Sequence, residues 1–401
     1  LAATEIEDEP LWDGQAKSSR YQDFSRSGFI TPGELTPPQA ALYQEAGQGL
    51  LAAYQQVHAG MVEHLRSRLP RPADMKPDAY ERNIAARAFD IARYLLFLGV
   101  PTNVGQVVSL RTLEKQVRRL KASAYAELRG LAEEIAEACT RPPERLSDDA
   151  PAEPLCPTLA QYTEPDSHLA QARADLAQWA AENLAASVSA ATPPSVDLLK
   201  PAEAMAEIVG TLLYSVTDRP FRDLYELACG WSTARRSEVI GLALRSRAPR
   251  DEMLREFRSG PYVFDMVMDI GAYRDMHRHR RCHQYRQAYS ARLGYEAPEV
   301  LREAGLAGTF EAAADGALAA RGSLPEPGAH YLTPFACRSR FLFKMDFAEA
   351  EYVCRLRTGV KGHFSYRRIA WEMKQALERL EPELGRLIDA VPPWVEDPLQ
   401  R

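Results

Sequence analysis

The stretch Ile91-Ala92-Arg93-Tyr94-Leu95-Leu96 returns in altered form as Gly328-Ala329-His330-Tyr331-Leu332-Thr333, and the likeness continues downstream. Each copy leads into an arginine-bearing helical pattern, Val117-Arg118-Arg119-Leu120 in one and Val353-Cys354-Arg355-Leu356-Arg357 in the other. Each then reaches a second such pattern, Leu128-Arg129-Gly130-Leu131-Ala132 and Tyr366-Arg367-Arg368-Ile369-Ala370. A repeated order of elements constrains the fold more than any single motif, because two diverged copies of one unit must bury similar faces. A length of 401 residues accommodates two such units. The Pro- and Asp-rich run from Arg141 to Pro157 reads as their junction. The expected division is a first unit over 1–145, a linker over 146–157 and a second unit over 158–395.

Periodicity fills in the elements. Leu50, Leu51, Tyr54, Val57, Met61, Val62 and Leu65 recur at three- and four-residue steps and predict a helix. Helical patterns also run over about 107–135 and 202–216. From Tyr262 to Tyr273 the apolar residues Phe264, Met266, Met268, Ile270 and Ala272 alternate, with Asp265 and Asp269 on the opposite face. That period of two predicts a strand. The expected class is therefore a helix-rich α+β fold. A formal charge of -6 argues against a general nucleic-acid or membrane-surface binder. The six cysteines are scattered without a CxxC pair and read as reduced thiols. Neither a long apolar run nor a basic-then-apolar leader is visible, so the expectation is a cytoplasmic protein without a membrane span.

One stretch concentrates chemistry. Tyr273 to Arg286 holds five arginines and three of the eight histidines of the chain. Guanidinium groups bind phosphate oxygens in bidentate fashion, and crowded cations repel one another unless an anion neutralises them. The stretch therefore suits a phosphate-bearing ligand or, failing that, forms a solvated basic face. His277, His279, Cys282 and His283 are zinc-ligand types, but the interleaved arginines oppose a dication, so no metal is expected.

Arg278-His279-Arg280 resembles the RHR signature of the flavin-dependent thymidylate synthases, the ThyX-type family. Ala92-Arg93-Tyr94-Leu95-Leu96 is similar to that family's A-R-x-V-L-P segment, and Ser109-Leu110-Arg111-Thr112-Leu113 to its N-A-R-S-L. Gln15-Ala16-Lys17-Ser18-Ser19-Arg20-Tyr21 resembles the stretch that closes the long signature. Arg357 and the Gly362-His363-Phe364-Ser365-Tyr366-Arg367 run resemble its C-terminal motifs. The two copies are degenerate in complementary ways. The second keeps the RHR but has Ala288-Tyr289-Ser290 in place of Ser-Gly-Arg; the first keeps Ser18-Ser19-Arg20 with no RHR before it.

The resemblance implies a pseudo-dimeric chain in which one copy's RHR works with the other copy's Ser-Ser-Arg loop, and a homodimer imitating the family tetramer. Arg278, His279, Arg280, Arg281, His363 and Arg111 would hold FAD. Ser18, Ser19, Arg20 and Arg93 would hold a pyrimidine nucleotide, with Arg357 facing its ring and Arg119 as the first-copy counterpart, one position out of step. No catalytic base is assigned. The implied reaction is C5 methylation of a uridine 5'-monophosphate, with methylenetetrahydrofolate as one-carbon donor and NADPH restoring reduced flavin. A duplicated, diverged chain resembles the UMP methylases of nucleoside antibiotic biosynthesis, which favours UMP over dUMP. Asp275 and Arg286 stand where the family has Gln and Glu, consistent with a changed substrate. The alternative is a catalytically silent flavin- or nucleotide-binding scaffold.

Overall fold

The structure, a computed structural model, describes residues 1–142, 153, 162–184, 194–248, 254–258, 260–386, 388–397 and 399. Apart from Glu153, the expected linker lies outside the described residues. Strands are β1 (Asp13–Ala16), β2 (Val104–Val107), β3 (Val196–Leu199), β4 (Tyr262–Asp269), β5 (His283–Arg286) and β6 (Arg338–Met345). Strands β1 and β2 form an antiparallel pair. The others form an antiparallel sheet in the order β3-β4-β6-β5. The rest is largely helical, and no helix among the described residues is long and apolar enough to cross a membrane.

Strand β4 is buried along its whole length because both faces of the sheet are covered. Phe264, Met266 and Met268, with Phe341 and Phe343 of β6, pack against helices Phe347–Arg357 and Phe364–Leu380. Val263 and Leu342 pack on the other face against helices Ala204–Tyr214 and Phe221–Gly230. Asp265 lies on that second face and is buried, so it must be satisfied internally. It accepts from the Tyr214 hydroxyl at 3.0 Å, the Phe221 amide at 2.9 Å and Arg340 Nη1 at 3.0 Å.

Two expectations need correction. The strand expected to reach Tyr273 stops at Asp269, whose Oδ1 accepts from the Ala272 amide at 2.7 Å and caps helix Ile270–Met276. That helix is buried almost all round, so its apolar residues at 270 and 272 mimic a strand's alternation. The helical stretch expected over 107–135 divides into the end of β2 and the helices Leu110–Lys121 and Ala126–Thr140. Ser109 starts the first of these by accepting from the Thr112 amide at 3.2 Å. The pattern over 50–65 belongs to the longer helix Pro37–Arg68, and that over 202–216 to Ala204–Tyr214.

The repeat is present in the fold. Helix Ala2–Glu7, β1, helices Pro37–Arg68 and Pro77–Ala92, the 3-10 turn Arg93–Leu95, β2 and helices Leu110–Lys121 and Ala126–Thr140 make the first copy. Helix Ile270–Met276, β5, helices Val300–Glu303 and Ala307–Gly322, the 3-10 turn Gly328–Leu332, β6 and helices Phe347–Arg357 and Phe364–Leu380 repeat that order. The sequence-similar turns meet. Leu98 N donates to Thr333 O (3.1 Å) and Gly99 N to Tyr331 O (2.7 Å), while Phe335 N donates to Leu96 O (2.7 Å) and Ala336 N to Tyr94 O (3.1 Å). Around them Tyr43, Leu50, Tyr54 and Met61 share one apolar core with Phe310, Ala314, Ala317 and Leu332. The chain is a pseudo-dimer with a common core, and what that core positions is the seam between its units.

Candidate active site

The seam gathers four guanidinium groups from both units. Arg20 follows β1 and is held almost fully buried: Nε donates to Asp90 Oδ1 at 2.8 Å, Nη1 to the Tyr366 hydroxyl at 3.0 Å and Nη2 to Lys361 O at 3.0 Å. Arg93, 2% exposed, sits in the 3-10 turn and directs Nη1 to Asp275 Oδ2 at 3.1 Å. Arg278 Nη2 lies 3.8 Å from Asp275 Oδ1. Arg357 donates from Nε to His279 Nε2 at 2.7 Å and stands over the Tyr366 ring at 5.5 Å. The Ser-Ser-Arg loop of the first unit and the RHR turn of the second thus meet around Asp275 and Tyr366.

Cations outnumber carboxylates there. Burial would raise the Asp275 carboxyl, but Arg93, Arg20 and Arg278 outweigh it and hold the group below its ordinary range. Arg93 Nε and Nη2 are both buried and have no partner among the described residues. Burial also lowers the Arg357 guanidinium. Orphaned donors on a buried cation are costly, and an anionic acceptor at this seam relieves that cost.

The histidines have defined states. His363 is fully buried, and burial, followed by Arg93 and Arg20, pushes it well below its ordinary range. Its Nε2 is 2.9 Å from Asp90 O, and its Nδ1 accepts from the Ser365 amide at 3.2 Å, capping helix Phe364–Leu380. Both ring nitrogens of His363 are thus engaged within the chain, one on the Asp90 carbonyl and one at the start of the helix. His279 is lowered chiefly by burial; accepting from Arg357 at Nε2 leaves its proton on Nδ1, 3.6 Å from Glu349.

Other expected residues lie at the rim or outside the cluster. Ser18 Oγ accepts from the Arg20 amide at 3.2 Å, which shapes the loop, and Ser19 is buried beside it. Arg280 donates to Asp13 Oδ1 at 2.8 Å and lies 5.5 Å from the Trp12 ring centroid. Arg280 and Trp12, with Arg278, His277, Glu7 and the strand residues Gly14 to Ala16, line a slot of about 240 Å³. Arg281 is exposed. Arg111 is exposed in the first turn of helix Leu110–Lys121, with no hydrogen bond or ion pair among the described residues. Arg286 pairs with Glu5.

Four residues of the site escaped sequence reasoning. Asp90 had a visible signal, a lone carboxylate in the run Ala88-Phe89-Asp90-Ile91-Ala92, where only a buried cation justifies it. Tyr366 lay within a motif read for its arginines. Trp12 stands just before β1, a strand too short to register. His277 was read as part of the basic stretch and as a possible metal ligand, without being singled out. Its Nδ1 lies 2.9 Å from Gln284 Oε1, and its buried Nε2, at the edge of the slot, has no partner among the described residues.

The donor set fits a phosphate-bearing ligand: a partly exposed RHR turn, a buried arginine with two orphaned nitrogens, and a slot between the units. Comparison with known proteins agrees with the geometry. The chain is 24% identical over 406 aligned positions to a UPF0159 protein of Chlamydia muridarum, covering 95% of this chain and 73% of that protein. It is 25% identical over 320 positions to a UPF0159 protein of Chlamydia pneumoniae and 24% over 325 to one of Thermoplasma acidophilum, each covering 78% of this chain. The chain spans 59% and 61% of the lengths of those two relatives. The family described as thymidylate synthase complementing protein matches twice, over residues 8–142 and 219–383. These segments carry the two copies of the repeat, and the chain belongs to the thymidylate synthase complementing protein, or ThyX-type, family.

Proposed function

We propose that this chain catalyses flavin-dependent C5 methylation of a uridine 5'-monophosphate, UMP in preference to dUMP. Methylenetetrahydrofolate would be the one-carbon donor, with NADPH restoring reduced FAD. The observation that carries this reading is the convergence of Arg20, Arg93, Arg278 and Arg357 from two units on one seam, with Arg93 Nε and Nη2 unsatisfied among the described residues.

Bound flavin would supply the hydride that reduces the transferred methylene. The chain's part is binding and polarisation. Arg278 and Arg280, with the slot beside β1, would hold cofactor phosphate. Arg93 would take an anionic oxygen of the nucleotide on its two orphaned nitrogens, while Asp275 keeps its third nitrogen fixed. Arg357, oriented by His279 and Tyr366, would face the uracil carbonyls, where a preorganised cation stabilises charge pushed onto the ring. Arg20 acts one step back: it fixes Asp90 and Tyr366 and so shapes the loop that carries Ser18 and Ser19.

A slot of about 240 Å³ is smaller than the roughly 300–1,000 Å³ of sites that enclose drug-sized ligands. FAD would therefore extend over the surface beyond it, which supports a homodimer completing the site across chains, with units over 1–145 and 158–395. The test is direct competition. Protein, FAD, NADPH and methylenetetrahydrofolate are incubated with equal UMP and dUMP, and the nucleotides are read by mass spectrometry. A methyl gained mainly by UMP is expected. Binding of both ligands with no methyl gained would replace catalysis by the silent scaffold.

A further inference from the structure

The two strand pairs align the units residue by residue. Ala16 faces Val104 as Arg286 faces Phe341, and Asp13 faces Val107 as His283 faces Lys344. Counting back from these strands, Arg278-His279-Arg280 of the second unit falls on Asp8-Glu9-Pro10 of the first, and Asp275 on Glu5. Two guanidiniums and an imidazole are thus replaced by two carboxylates and a proline.

The replacement extends to the contacts. Arg357 donates from Nε to His279; in the first unit Arg119 donates from Nε to Glu9 Oε1 at 2.9 Å and from Nη2 to Glu5 O at 2.7 Å. Arg255 grips Asp8 with both terminal nitrogens, at 2.8 and 2.7 Å. Arg286 pairs with the Glu5 carboxylate. Arg255 and Arg286 come from the second unit's side of the chain, so these pairs cross the seam. Arg93 corresponds to His330, whose Nδ1 is held by the Tyr125 hydroxyl at 2.7 Å. The space left beside Asp8, Glu9 and Pro10 is about 30 Å³, room for a water but not for a nucleotide.

We propose that the first unit's equivalent of the RHR turn is an inter-unit ion-pair lock, and that each chain therefore holds one flavin–nucleotide site rather than two. The identity of the ligand rests on the function proposed above; the lock does not. Charge reversal at the turn excludes a second anionic ligand, and the same carboxylates hold helix Ala2–Glu7 and β1 in the position from which the Ser18–Arg20 loop reaches the seam.

Two measurements on the full chain decide this. Protein saturated with FAD and desalted is assayed for flavin per chain by absorbance. One flavin per chain is expected, and two would overturn the proposal. Independently of flavin, Asp8→Asn, Arg255→Met and the double variant are compared by urea unfolding. Each single variant should shift the unfolding equilibrium by about tenfold, and the double by no more than the larger single effect, since the pair is coupled. Additive or absent effects would overturn the lock. A chain that takes up no flavin but shows the coupling would refute the proposed function and uphold the lock.

Discussion

Arg20→Met is the perturbation whose consequence the structure fixes most closely. The Arg20 and Asp90 side chains are 8% and 3% exposed, so solvent screens their pairing little. Four of the five guanidinium N–H groups are engaged, two on Asp90, one on Tyr366 and one on Lys361 O. Removing one partner of a buried pair costs roughly 3–5 kcal/mol, because the other charge stays buried without it. The lost bonds to Tyr366 and Lys361 act in the same direction. We expect Arg20→Met to lower the unfolding free energy by about 4 kcal/mol, read from urea midpoints at constant slope. Asp90→Leu should cost a comparable amount, and the double variant clearly less than the sum of the two. A single variant within about 1 kcal/mol of the parent would match an exposed ion pair and refute the buried seam.

Arg278→Ala should leave stability unchanged, since the side chain is exposed. FAD affinity should fall about ten- to a hundredfold, as for a lost bond to a charged group, and unchanged flavin binding would remove the RHR turn from the site. Gly99→Ala should destabilise by about 1–3 kcal/mol, as overpacking does. Its Cβ would overlap the Tyr43 hydroxyl, which is fixed on Ile30 O at 2.8 Å, and Tyr43→Phe in the same background should recover part of the loss. Stability should fall on acidification below the ordinary histidine value of 6.5. His363 and His279 are lowered in the folded chain, so the unfolded chain binds more protons there; their contribution is full above 6.5 and is lost as pH falls below it. Equal urea midpoints at pH 7.5 and 5.5 would contradict this, and His363→Gln should flatten the dependence.

Much of the architecture was legible because it rests on local chemistry. The repeat at residues 91 and 328 gave two units, and the long helix announced itself through Leu50 to Leu65. The boundary at Asp269 was not legible, since a capping carboxylate and a strand's polar face look alike until Ala272 is seen to donate. The complementary loss of motifs raised the expectation that the Ser-Ser-Arg loop and the RHR turn act together, and the structure brings both to the seam beside Tyr366 and Asp275. Which donors of Arg20 and His363 are already engaged was not legible for one reason. A motif marks where a residue lies, whereas its free valence depends on Asp90 and Tyr366, which arrive from other elements. Arg111 shows the reverse, a motif position that stays exposed in a helix's first turn.

We propose that the two units together form one site for flavin and nucleotide. Its most direct test is the visible spectrum of the protein after incubation with FAD and desalting, recorded before and after adding UMP. We predict retained flavin bands that shift on nucleotide addition in the parent and are lost in Arg278→Ala. A colourless parent protein, or flavin bands indifferent to nucleotide, would contradict a shared site.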